Sequence, residues 1–554
     1  MPEAPHEVFG TAWPVREVPA EVRAGYLEQG WWGDDTLGAL VDRSLRTAPA
    51  ATVNIWSDAR PWRGTYAQIR ADALRLAGML AGKGLRPGDV VAFQLPNWRE
   101  AVAAFYGLAI GGFVLVPVVH IYGHKEVRFI LRESGARAYI SADRYGHVDY
   151  VDIVDGAAAA ELASLDLHVV VGAPVPATPR QVERVAWEAV ERATPVEHLE
   201  RVDPDDVCVL AYTSGTTSDP KGVMHTHRTL LAELLHMRPM VAAAPPNLMG
   251  SPVTHATGML GAVLSPMELG RDIHLIDRWD PARALEIMLE ADIGAGTGAS
   301  VFLASLIDHP GFTPEHARRV PRVGLGGAPV APALAARAAA HGIAIIRAYG
   351  STEHPSITSS SFDDPLEKRH GTDGRPLAGV EIRLLDADGD PVATGEPGEI
   401  WSRGPDLCLG YTDPVLTEGA FDAEGWYRTG DLGVLDGDGF LTITDRLNDV
   451  VIRGGENISA AEIEEAIATL PQIAEVAVVG APDPRLGEHA CAIVRLAPDA
   501  PSIELSDITA HLERAGIARQ KWPEELRVVA DFPRTASGKI RKVDLRRELR
   551  DEHA

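Results

Sequence analysis

The sequence predicts an α/β protein with a large N-terminal domain and a small, mobile C-terminal α+β domain. Three features of its pattern support this fold class. Over residues 65–141, helical and strand patterns alternate, which is typical of mostly parallel sheets covered by helices. After Gly379 the strands become shorter and are separated by tight turns, which indicates a β-rich subdomain. From Ser459 a compact order of helices and strands resumes over about 100 residues, a common domain size.

In chain order, the N-terminal domain begins with a segment that wraps the core and contains a helix over 36–46. Two long uncharged runs, 101–119 and 240–267, are interrupted by glycines or prolines, so we assign them to buried core and expect no transmembrane segment. Apolar spacing predicts helices over 65–84, 126–134 and 226–237, and strands over 90–95, 113–119, 138–141 and 207–211.

The C-terminal unit has its own helices and strands. Ser459 and Glu462 are spaced as a capping box at the start of a helix. The boundary is predicted within 445–450, which gives an N-terminal domain of residues 1–447 and a mobile domain of residues 448–554, with a hinge near Asn448. Further patterns predict strands over 476–479, 491–496 and 526–530 and a helix over 508–515.

The composition argues against several partners and compartments. The 554 residues include 52 Lys and Arg against 78 Asp and Glu, a formal net charge of −26. This balance argues against nucleic acid and anionic membranes as partners, because both require a positive surface. Three scattered cysteines cannot form a disulfide framework, and the first residues lack the basic and apolar regions of a signal peptide. We therefore expect a reduced, cytoplasmic location.

Residues 212–223 form the stretch around which the predicted site is organised. The sequence places them in a loop between the strand over 207–211 and the following helix. Every residue from 213 to 218 except Gly215 carries a hydroxyl group. Such hydroxyls, together with backbone N–H groups, suit a polyphosphate. A Ser/Thr-rich surface loop is the alternative, and the position between a buried strand and a helix disfavours it.

The order of residues in this stretch excludes the common phosphate loop of kinases and GTPases. That loop ends in Gly-Lys followed by Ser or Thr, whose hydroxyl holds magnesium. Here Lys221 is followed by Gly222. Lys221 nevertheless supplies the positive charge that a phosphate group requires, and Gly222 allows the backbone to approach a ligand closely.

Five further motifs contain residue types suited to nucleotide chemistry. Residues 324–329 are rich in glycine and could let a flat ring lie against the backbone. In residues 349–353, the hydroxyl of Thr352 and the carboxylate of Glu353 suit a phosphate with bound Mg²⁺. Taken alone, these motifs are also found in ordinary turns and loops.

The other three motifs supply charged side chains. Asp431 follows a glycine turn, and one carboxylate can accept hydrogen bonds from both hydroxyls of a ribose. Arg446 follows an alternating strand and could also reach the ribose. Lys539 lies on a turn rich in Gly and Ser, where a mobile cation can stabilise charge during phosphoryl or acyl transfer. Alone, each would be interpreted as a surface salt bridge or a solvated lysine.

The order and spacing of these motifs resemble the adenylate-forming superfamily, which includes acyl-CoA synthetases, luciferases and peptide-synthetase adenylation domains. The resemblance covers nearly the whole chain. Residues 453–459 (RGGENIS), together with 30–32 and 95–98, resemble the acyl-CoA synthetase branch, especially fatty-acid and cyclohexanecarboxylate CoA ligases.

This resemblance implies an ATP-dependent reaction in two steps. A small-molecule carboxylic acid attacks the α-phosphate of ATP to give acyl-adenylate and pyrophosphate. The C-terminal domain then rotates, and the thiol of CoA attacks the acyl carbon to give acyl-CoA and AMP. ATP, Mg²⁺ and CoA as co-substrate are implied, and a homodimer is left open.

The resemblance also implies a role for each matching residue. Lys539 would bridge to the substrate carboxylate during adenylation, and His255 would border the acyl pocket. Glu353 would hold Mg²⁺, and Thr352 would contact phosphate. The remaining implied contacts are Thr213, Ser214, Gly215, Thr216, Thr217 and Lys221 to the β- and γ-phosphates, Gly326, Gly327, Ala328 and Tyr349 to adenine with Gly350 and Ser351 beside it, Asp431 and Arg446 to ribose, and Gly454 and Gly455 to the pantetheine of CoA.

One position departs from the family pattern, because Asn448 stands at the hinge where Asp or Lys is usual. Two alternatives are open beside an acyl-CoA synthetase. One is an adenylating enzyme that passes its acyl group to a carrier-protein thiol, an amine or another nucleophile. The other is a non-catalytic nucleotide-binding protein with this fold. Small apolar side chains within 250–264 indicate a nonpolar acyl group of short to medium length, or a ring.

Overall fold

A computed structural model gives the architecture and confirms the predicted α/β fold class. Parallel-rich sheets come first, an antiparallel sheet follows, and a further sheet lies near the C-terminus. The structure describes residues 13–173, 182–213, 220–327, 330, 332–447, 449–453, 456–483, 486–515, 517, 519–535 and 538–553.

The largest sheet contains the strand that leads into the predicted phosphate-binding stretch. Five of its neighbouring pairs are parallel. Val90–Gln94 and Ala138–Ala142 are buried at every position, as expected for parallel strands covered on both faces. The described strands follow the order Lys221–Thr226, Val207–Thr213, Val114–Pro117, Val90–Gln94, Ala138–Ala142, Leu167–Val171 and Glu183–Ala186.

Two smaller sheets follow, of which the first is mostly parallel and the second is mixed, with its first pair parallel and the next two antiparallel. In the second of them, Arg322–Gly326 and Ala344–Tyr349 are parallel, so their carboxyl ends lie at the same edge. Gly326 pairs there with Ala348, next to Tyr349. The described strands of the first sheet are, in order, Gly294–Ala295, Asn247–Met249, Ile273–Ile276, Thr52–Trp56 and Trp62–Thr65, and those of the second are Arg322–Gly326, Ala344–Tyr349, Thr358–Ser359 and Arg375–Pro376.

The predicted β-rich subdomain is an antiparallel sheet whose strands are five to nine residues long. A tight turn joins its last two strands, whereas the connection between the second and third strands contains the helix Pro414–Ala420, so the predicted tight turns are present only in part. The C-terminal sheet has its own apolar core, in which Ile463, Ile467, Ile508 and Leu512 are buried. The strands of the antiparallel sheet are Glu381–Leu385, Pro397–Arg403, Tyr427–Leu435 and Leu441–Arg446; those of the C-terminal sheet are Glu456–Ile458, Val451–Arg453, Gly487–Leu496, Ile473–Asp483 and Glu525–Val528.

Helices flank these sheets, and each helix predicted from the sequence is present. Asn448, the predicted hinge, lies outside the described residues, so the boundary between the two domains stays a prediction. The longer described helices are Ala20–Glu28, Leu37–Thr47, Tyr66–Gly82, Arg99–Ile110, His124–Glu133, His227–Ala243, Pro281–Ala291, Ser300–Ile307, Pro332–Ala340, Ala460–Ala468, Leu505–Arg514 and Lys542–His553.

The structure corrects the prediction of a strand-to-helix loop at residues 212–223. Val207–Thr213 and Lys221–Thr226 form an antiparallel hairpin in which Thr213 lies opposite Lys221. The helix His227–Ala243 begins only after the second strand, with Thr226 as its N-cap. The second strand is short and holds only two large apolar residues, so its pairing with the buried neighbour, and not its own pattern, makes it a strand.

The predicted capping box at Ser459 is only half formed among the described residues. The Ser459 hydroxyl accepts a hydrogen bond from the backbone N–H of Glu462. The carboxylate of Glu462 instead accepts one from the Lys521 ammonium at 2.6 Å. A contact to a distant segment has therefore replaced the local one.

Across the part of the chain that the structure describes, no helix is both long enough and apolar enough to span a bilayer. The burial of the first uncharged run confirms its assignment to the core, whereas the second run begins with partly exposed residues before it enters the core. The first contributes the helix Arg99–Ile110 and the strand Val114–Pro117, with a glycine turn between them. The cytoplasmic location and the homodimer stay predictions.

Candidate active site

A buried carboxylate with partners from two sheets forms one corner of the candidate site. Asp431 lies in Tyr427–Leu435, directly opposite Arg446 on the neighbouring strand. Arg446 Nε donates to Asp431 Oδ1 at 2.7 Å, and the Tyr349 hydroxyl donates to Oδ2 at 2.7 Å. Three residues predicted from separate motifs are thus in direct contact.

The charge states around Asp431 are well defined. Asp431 is 6% exposed, whereas half of the Arg446 side chain reaches solvent. The negative charge of Asp431 raises the pKa of Arg446, so the guanidinium stays charged. Burial, followed by the charge of Asp431, raises the pKa of Tyr349 well above its ordinary value, so its hydroxyl stays a donor. Each carboxylate oxygen keeps acceptor capacity for a further donor.

A second carboxylate, Glu353, lies in the loop that follows Tyr349. The Tyr411 hydroxyl donates to Glu353 Oε1 at 2.8 Å, and the backbone N–H of Cys408 donates to the Glu353 carbonyl at 2.8 Å. His225 Nε2 donates to the carbonyl of Thr352 at 2.7 Å. Both the carboxylate and its backbone are therefore fixed by residues from distant segments.

Close backbone packing shapes the loop that carries Thr352 and Glu353. A Cβ atom on Gly350 would lie 1.9 Å from the carbonyl oxygen of Pro355, so only glycine fits there. Ser351 closes the turn, because its N–H donates to the His354 carbonyl and its hydroxyl accepts from the His354 N–H. The turn presents Thr352 and Glu353 beside the edge of the sheet.

The glycine-rich segment lies next to this loop. Gly326 ends its strand beside Ala348, and a Cβ atom there would lie 2.9 Å from the Ala348 carbonyl oxygen. Gly327 has a φ of +77°, a conformation that L side chains rarely adopt. Gly326 and Gly327 therefore lie at the edge of the sheet that also carries Tyr349.

Lys221 is linked to Glu353 through the ring of Tyr411, whose hydroxyl binds the Glu353 carboxylate. Its ammonium lies 5.6 Å from the centroid of the Tyr411 ring, within the range of a cation–π contact. Tyr411 belongs to a segment that pairs with the hairpin strand, since Val223 and Tyr411 form an antiparallel bridge. The sequence interpretation missed Tyr411 and His225, because neither belongs to a motif with a recognisable chemistry.

His255 is the N-cap of the short helix Ala256–Gly258. Its Nδ1 accepts a hydrogen bond from the Thr257 N–H at 3.3 Å, so the ring proton is on Nε2. Burial, with a smaller contribution from the positive charge of Lys539, lowers the pKa of His255 to about 4. His255 is therefore neutral at physiological pH.

Lys539 lies on a small hairpin in the C-terminal part of the chain. Arg534 and Ile540 form its antiparallel bridge, and the Lys539 N–H donates to the Thr535 hydroxyl at 3.1 Å. The Arg534 guanidinium binds both oxygens of Glu475, at 2.9 and 2.7 Å. This bidentate pair anchors the hairpin to the C-terminal sheet.

The Lys539 ammonium lies within electrostatic reach of the two carboxylates. The residue keeps an exposed surface, but protein atoms surround its ammonium. Burial, and then repulsion from Arg446, lowers the pKa of Lys539, while Asp431 and Glu353 act in the opposite direction. The structure thus brings a C-terminal cation to the carboxylates of the N-terminal part.

Seven of the predicted site residues lie outside the described residues: Ser214, Gly215, Thr216, Thr217, Ala328, Gly454 and Gly455. The described ends of the hairpin, Thr213 and Lys221, bracket the first four in the sequence.

The models of two protein families together match most of the chain. The family described as AMP-binding enzyme matches residues 41–412. The one described as AMP-binding enzyme C-terminal domain matches residues 462–539. Both matches agree with the resemblance predicted from the sequence motifs.

Similar proteins extend over nearly the full length. The chain is 32% identical to the medium-chain fatty-acid–CoA ligase of Escherichia coli strain K12 over 531 residues, covering 95% of this chain and 93% of that protein. It is 31% identical to the feruloyl-CoA synthase of an Amycolatopsis species over 500 residues, covering 88% and 94%. The crystal structure of ATP-bound MatB from Rhodopseudomonas palustris matches with a TM-score of 0.82 and 26% identity, covering 94% and 100%.

The lowered pKa of His255 predicts that its ring stays neutral where an ordinary histidine gains a proton. Between its ordinary value of 6.5 and about 4, the unfolded chain binds this proton and the folded chain does not. Stability should therefore fall as the pH decreases through this window. Histidine-selective NMR, with the His255 signal assigned by a His255→Gln variant, should show no titration of this ring between about pH 8 and about pH 5.5.

A histidine-containing peptide in the same buffers serves as the control and should titrate fully. A midpoint for His255 near that of the peptide would contradict the buried, neutral ring.

Proposed function

The chain belongs to the AMP-binding enzyme family, and we propose from its site how it works as an AMP-forming acid–thiol ligase. The enzyme activates a carboxylic acid with ATP to an acyl-adenylate and pyrophosphate. It then transfers the acyl group to CoA, giving acyl-CoA and AMP. The observation that supports the proposed roles most strongly is the convergence of Asp431, Glu353 and Lys539 from distant segments.

Asp431 and Arg446 would bind the ribose of ATP. Asp431 is buried, and its two partners hold the carboxylate in one orientation. Vicinal hydroxyls of a ribose can donate to such a carboxylate, while Arg446 keeps free N–H donors on its exposed side. Tyr349 would lie against adenine together with Gly326 and Gly327, whose lack of side chains leaves the ring room at the sheet edge.

Glu353 would hold Mg²⁺, and its surroundings fit that role. It is a buried carboxylate with one oxygen fixed by Tyr411, and hard cations prefer carboxylate oxygen. When bound, Mg²⁺ neutralises phosphate charge. Thr352 and Lys221 would contact the phosphate groups, together with the hydroxyl-rich residues 213–217.

Lys539 would act in the first step. Its ammonium would bridge the substrate carboxylate and the α-phosphate region, where charge develops during adenylation. The lowered pKa reflects partial loss of solvent, and a less hydrated cation interacts more strongly with an anionic ligand. His255, neutral and close enough to Lys539 to feel its charge, would border the acyl group.

The second step requires Lys539 to leave the site so that CoA can enter. Rotation of the C-terminal domain about residue 448 would withdraw the hairpin and bring Gly454 and Gly455 to the pantetheine of CoA. Small residues suit that task, because a narrow tunnel requires close approach of the backbone.

Two assays test the proposed function in sequence. ATP–pyrophosphate exchange that depends on a carboxylic acid, measured over a panel of aliphatic and aromatic acids, should identify one or more substrates. With CoA as the only added thiol, the same acids should then give acyl-CoA. Absence of exchange with every acid would contradict an adenylating enzyme. Exchange without acyl-CoA would favour another acceptor, such as a carrier-protein thiol or an amine.

The Lys539→Ala variant should separate the two half-reactions. Adenylation should fall by about 100-fold or more, because the cation that stabilises developing charge is lost. Formation of acyl-CoA from a supplied acyl-adenylate should be largely retained, since Lys539 has left the site by then. Single-turnover measurements of each step give the two rates.

Lys521→Ala is the matched control, because Lys521 pairs with Glu462 in the same C-terminal part but lies outside the candidate site. Its two rates should stay near those of the unmodified enzyme. Equal loss of both half-reactions in Lys539→Ala would contradict the rotation of the domain.

A further inference from the structure

A second cluster of ionisable side chains lies outside the nucleotide site. Glu233 and His236 lie one turn apart on the helix His227–Ala243, and Asp406 lies beyond the strand Pro397–Arg403. The exposed fractions of the three side chains are 2%, 2% and 0%. His236 Nδ1 lies 3.4 Å from Asp406 Oδ1 and 3.9 Å from Glu233 Oε2.

In each of these side chains, the polar atom that points away from the other two makes a hydrogen bond. His236 Nε2 donates to the Ala378 carbonyl at 2.8 Å, and a carbonyl can only accept. The Ser356 hydroxyl donates to Glu233 Oε1 at 2.8 Å, and the Ser356 N–H donates to Asp406 Oδ2 at 3.2 Å. The remaining atoms, Nδ1, Oε2 and Oδ1, all lie within 4.8 Å of one another.

Two of these three atoms make no hydrogen bond of normal geometry. Within the described ranges, His236 Nδ1 and Glu233 Oε2 are buried and have no hydrogen-bond partner. Asp406 Oδ1 is contacted by His354 Nε2 at 3.2 Å. A lone pair on His236 Nδ1 facing two buried carboxylates is unfavourable, so this position requires either a proton on Nδ1 or a bound cation. Burial acts to lower the pKa of His236, but Glu233 and Asp406 raise it overall, so without a bound cation the proton is favoured.

We propose that Glu233, His236 and Asp406 bind one divalent cation with the ligand preference of zinc. Zinc accepts both imidazole nitrogen and carboxylate oxygen as ligands, and the imidazole disfavours magnesium and calcium. Ligands about 2.1 Å from a tetrahedral ion lie about 3.4 Å apart. His236 Nδ1 already lies 3.4 Å from Asp406 Oδ1, whereas Glu233 Oε2, at 3.9 Å, would have to move closer when the ion binds. The ion's two positive charges balance the two carboxylates, so the buried site as a whole is neutral.

The hydrogen bonds from Ser356, and from His236 to Ala378, resemble those that orient metal ligands in other proteins. The site would also connect three segments that build the nucleotide site. The helix follows the hairpin strand that carries Lys221, and Ser356 lies three residues after Glu353. Asp406 lies two residues before Cys408, whose N–H holds the backbone of Glu353. The cation would thus stabilise the segments that hold Glu353 in place.

The test uses the full chain, treated with a chelator, dialysed and then mixed with ZnCl₂. After gel filtration, elemental analysis should find about one zinc per chain, and the melting temperature should rise. MgCl₂ at the same concentration should not reproduce this increase, because Mg²⁺ disfavours imidazole. Cobalt in place of zinc should give the visible absorption of a four-coordinate site.

Three variants locate the ion. Glu233→Gln combined with His236→Gln should abolish zinc retention. Ser356→Ala, which removes no ligand, should weaken zinc binding by about 10-fold, and it provides a test if the double variant fails to fold. His489→Gln should bind zinc normally, because His489 lies in a separate cluster of possible metal ligands with Asp483 and Glu524.

The site is overturned if the unmodified chain retains no zinc and its melting temperature is unchanged, since protons would then occupy the cluster. Loss of zinc in His489→Gln would equally place the ion elsewhere. All these measurements are independent of ligase activity, so they are separable from a failure of the proposed reaction.

Discussion

Two buried carboxylates determine the electrostatics of the candidate site, because a buried negative charge must be compensated by partners. Asp431 is held by Arg446 and Tyr349, and Glu353 is held by Tyr411. Each remains able to accept further donors or a cation. Lys539 adds a positive charge from the C-terminal part, and the fields of both carboxylates act on its ammonium.

The fold produces this arrangement by bringing the edges of different sheets together. Tyr349 ends a parallel strand, whereas Asp431 and Arg446 face each other on antiparallel strands. The hydrogen bond from Tyr349 to Asp431 joins the two sheets directly. Tyr349 also packs in one apolar cluster with Ile400 and Leu441 of the antiparallel sheet, so apolar packing supports the polar contact. The residues that would bind ribose are therefore fixed by contacts within the N-terminal part. The position that would bind the acid also requires Lys539 from the C-terminal part.

The sequence was sufficient to predict the fold class and the residues with a recognisable chemistry. Asp431, Arg446 and Tyr349 were predicted from three motifs, and the structure places them in contact. Tyr411 and His225 could not be predicted, because their positions depend on pairing between segments almost 190 residues apart. Thr412 N–H, for example, donates to the Gly222 carbonyl. The strand Lys221–Thr226 was missed for the same reason, since its pattern is too short to predict pairing.

The central claim is that Lys539 occupies the nucleotide site before adenylation. Competitive labelling with acetic anhydride, read by mass spectrometry, tests it directly, because a lysine with a lowered pKa reacts through a larger fraction of neutral amine. The account predicts that ATP with Mg²⁺ strongly slows the labelling of Lys539 and leaves Lys521 unchanged. Equal labelling of Lys539 with and without ATP would contradict it.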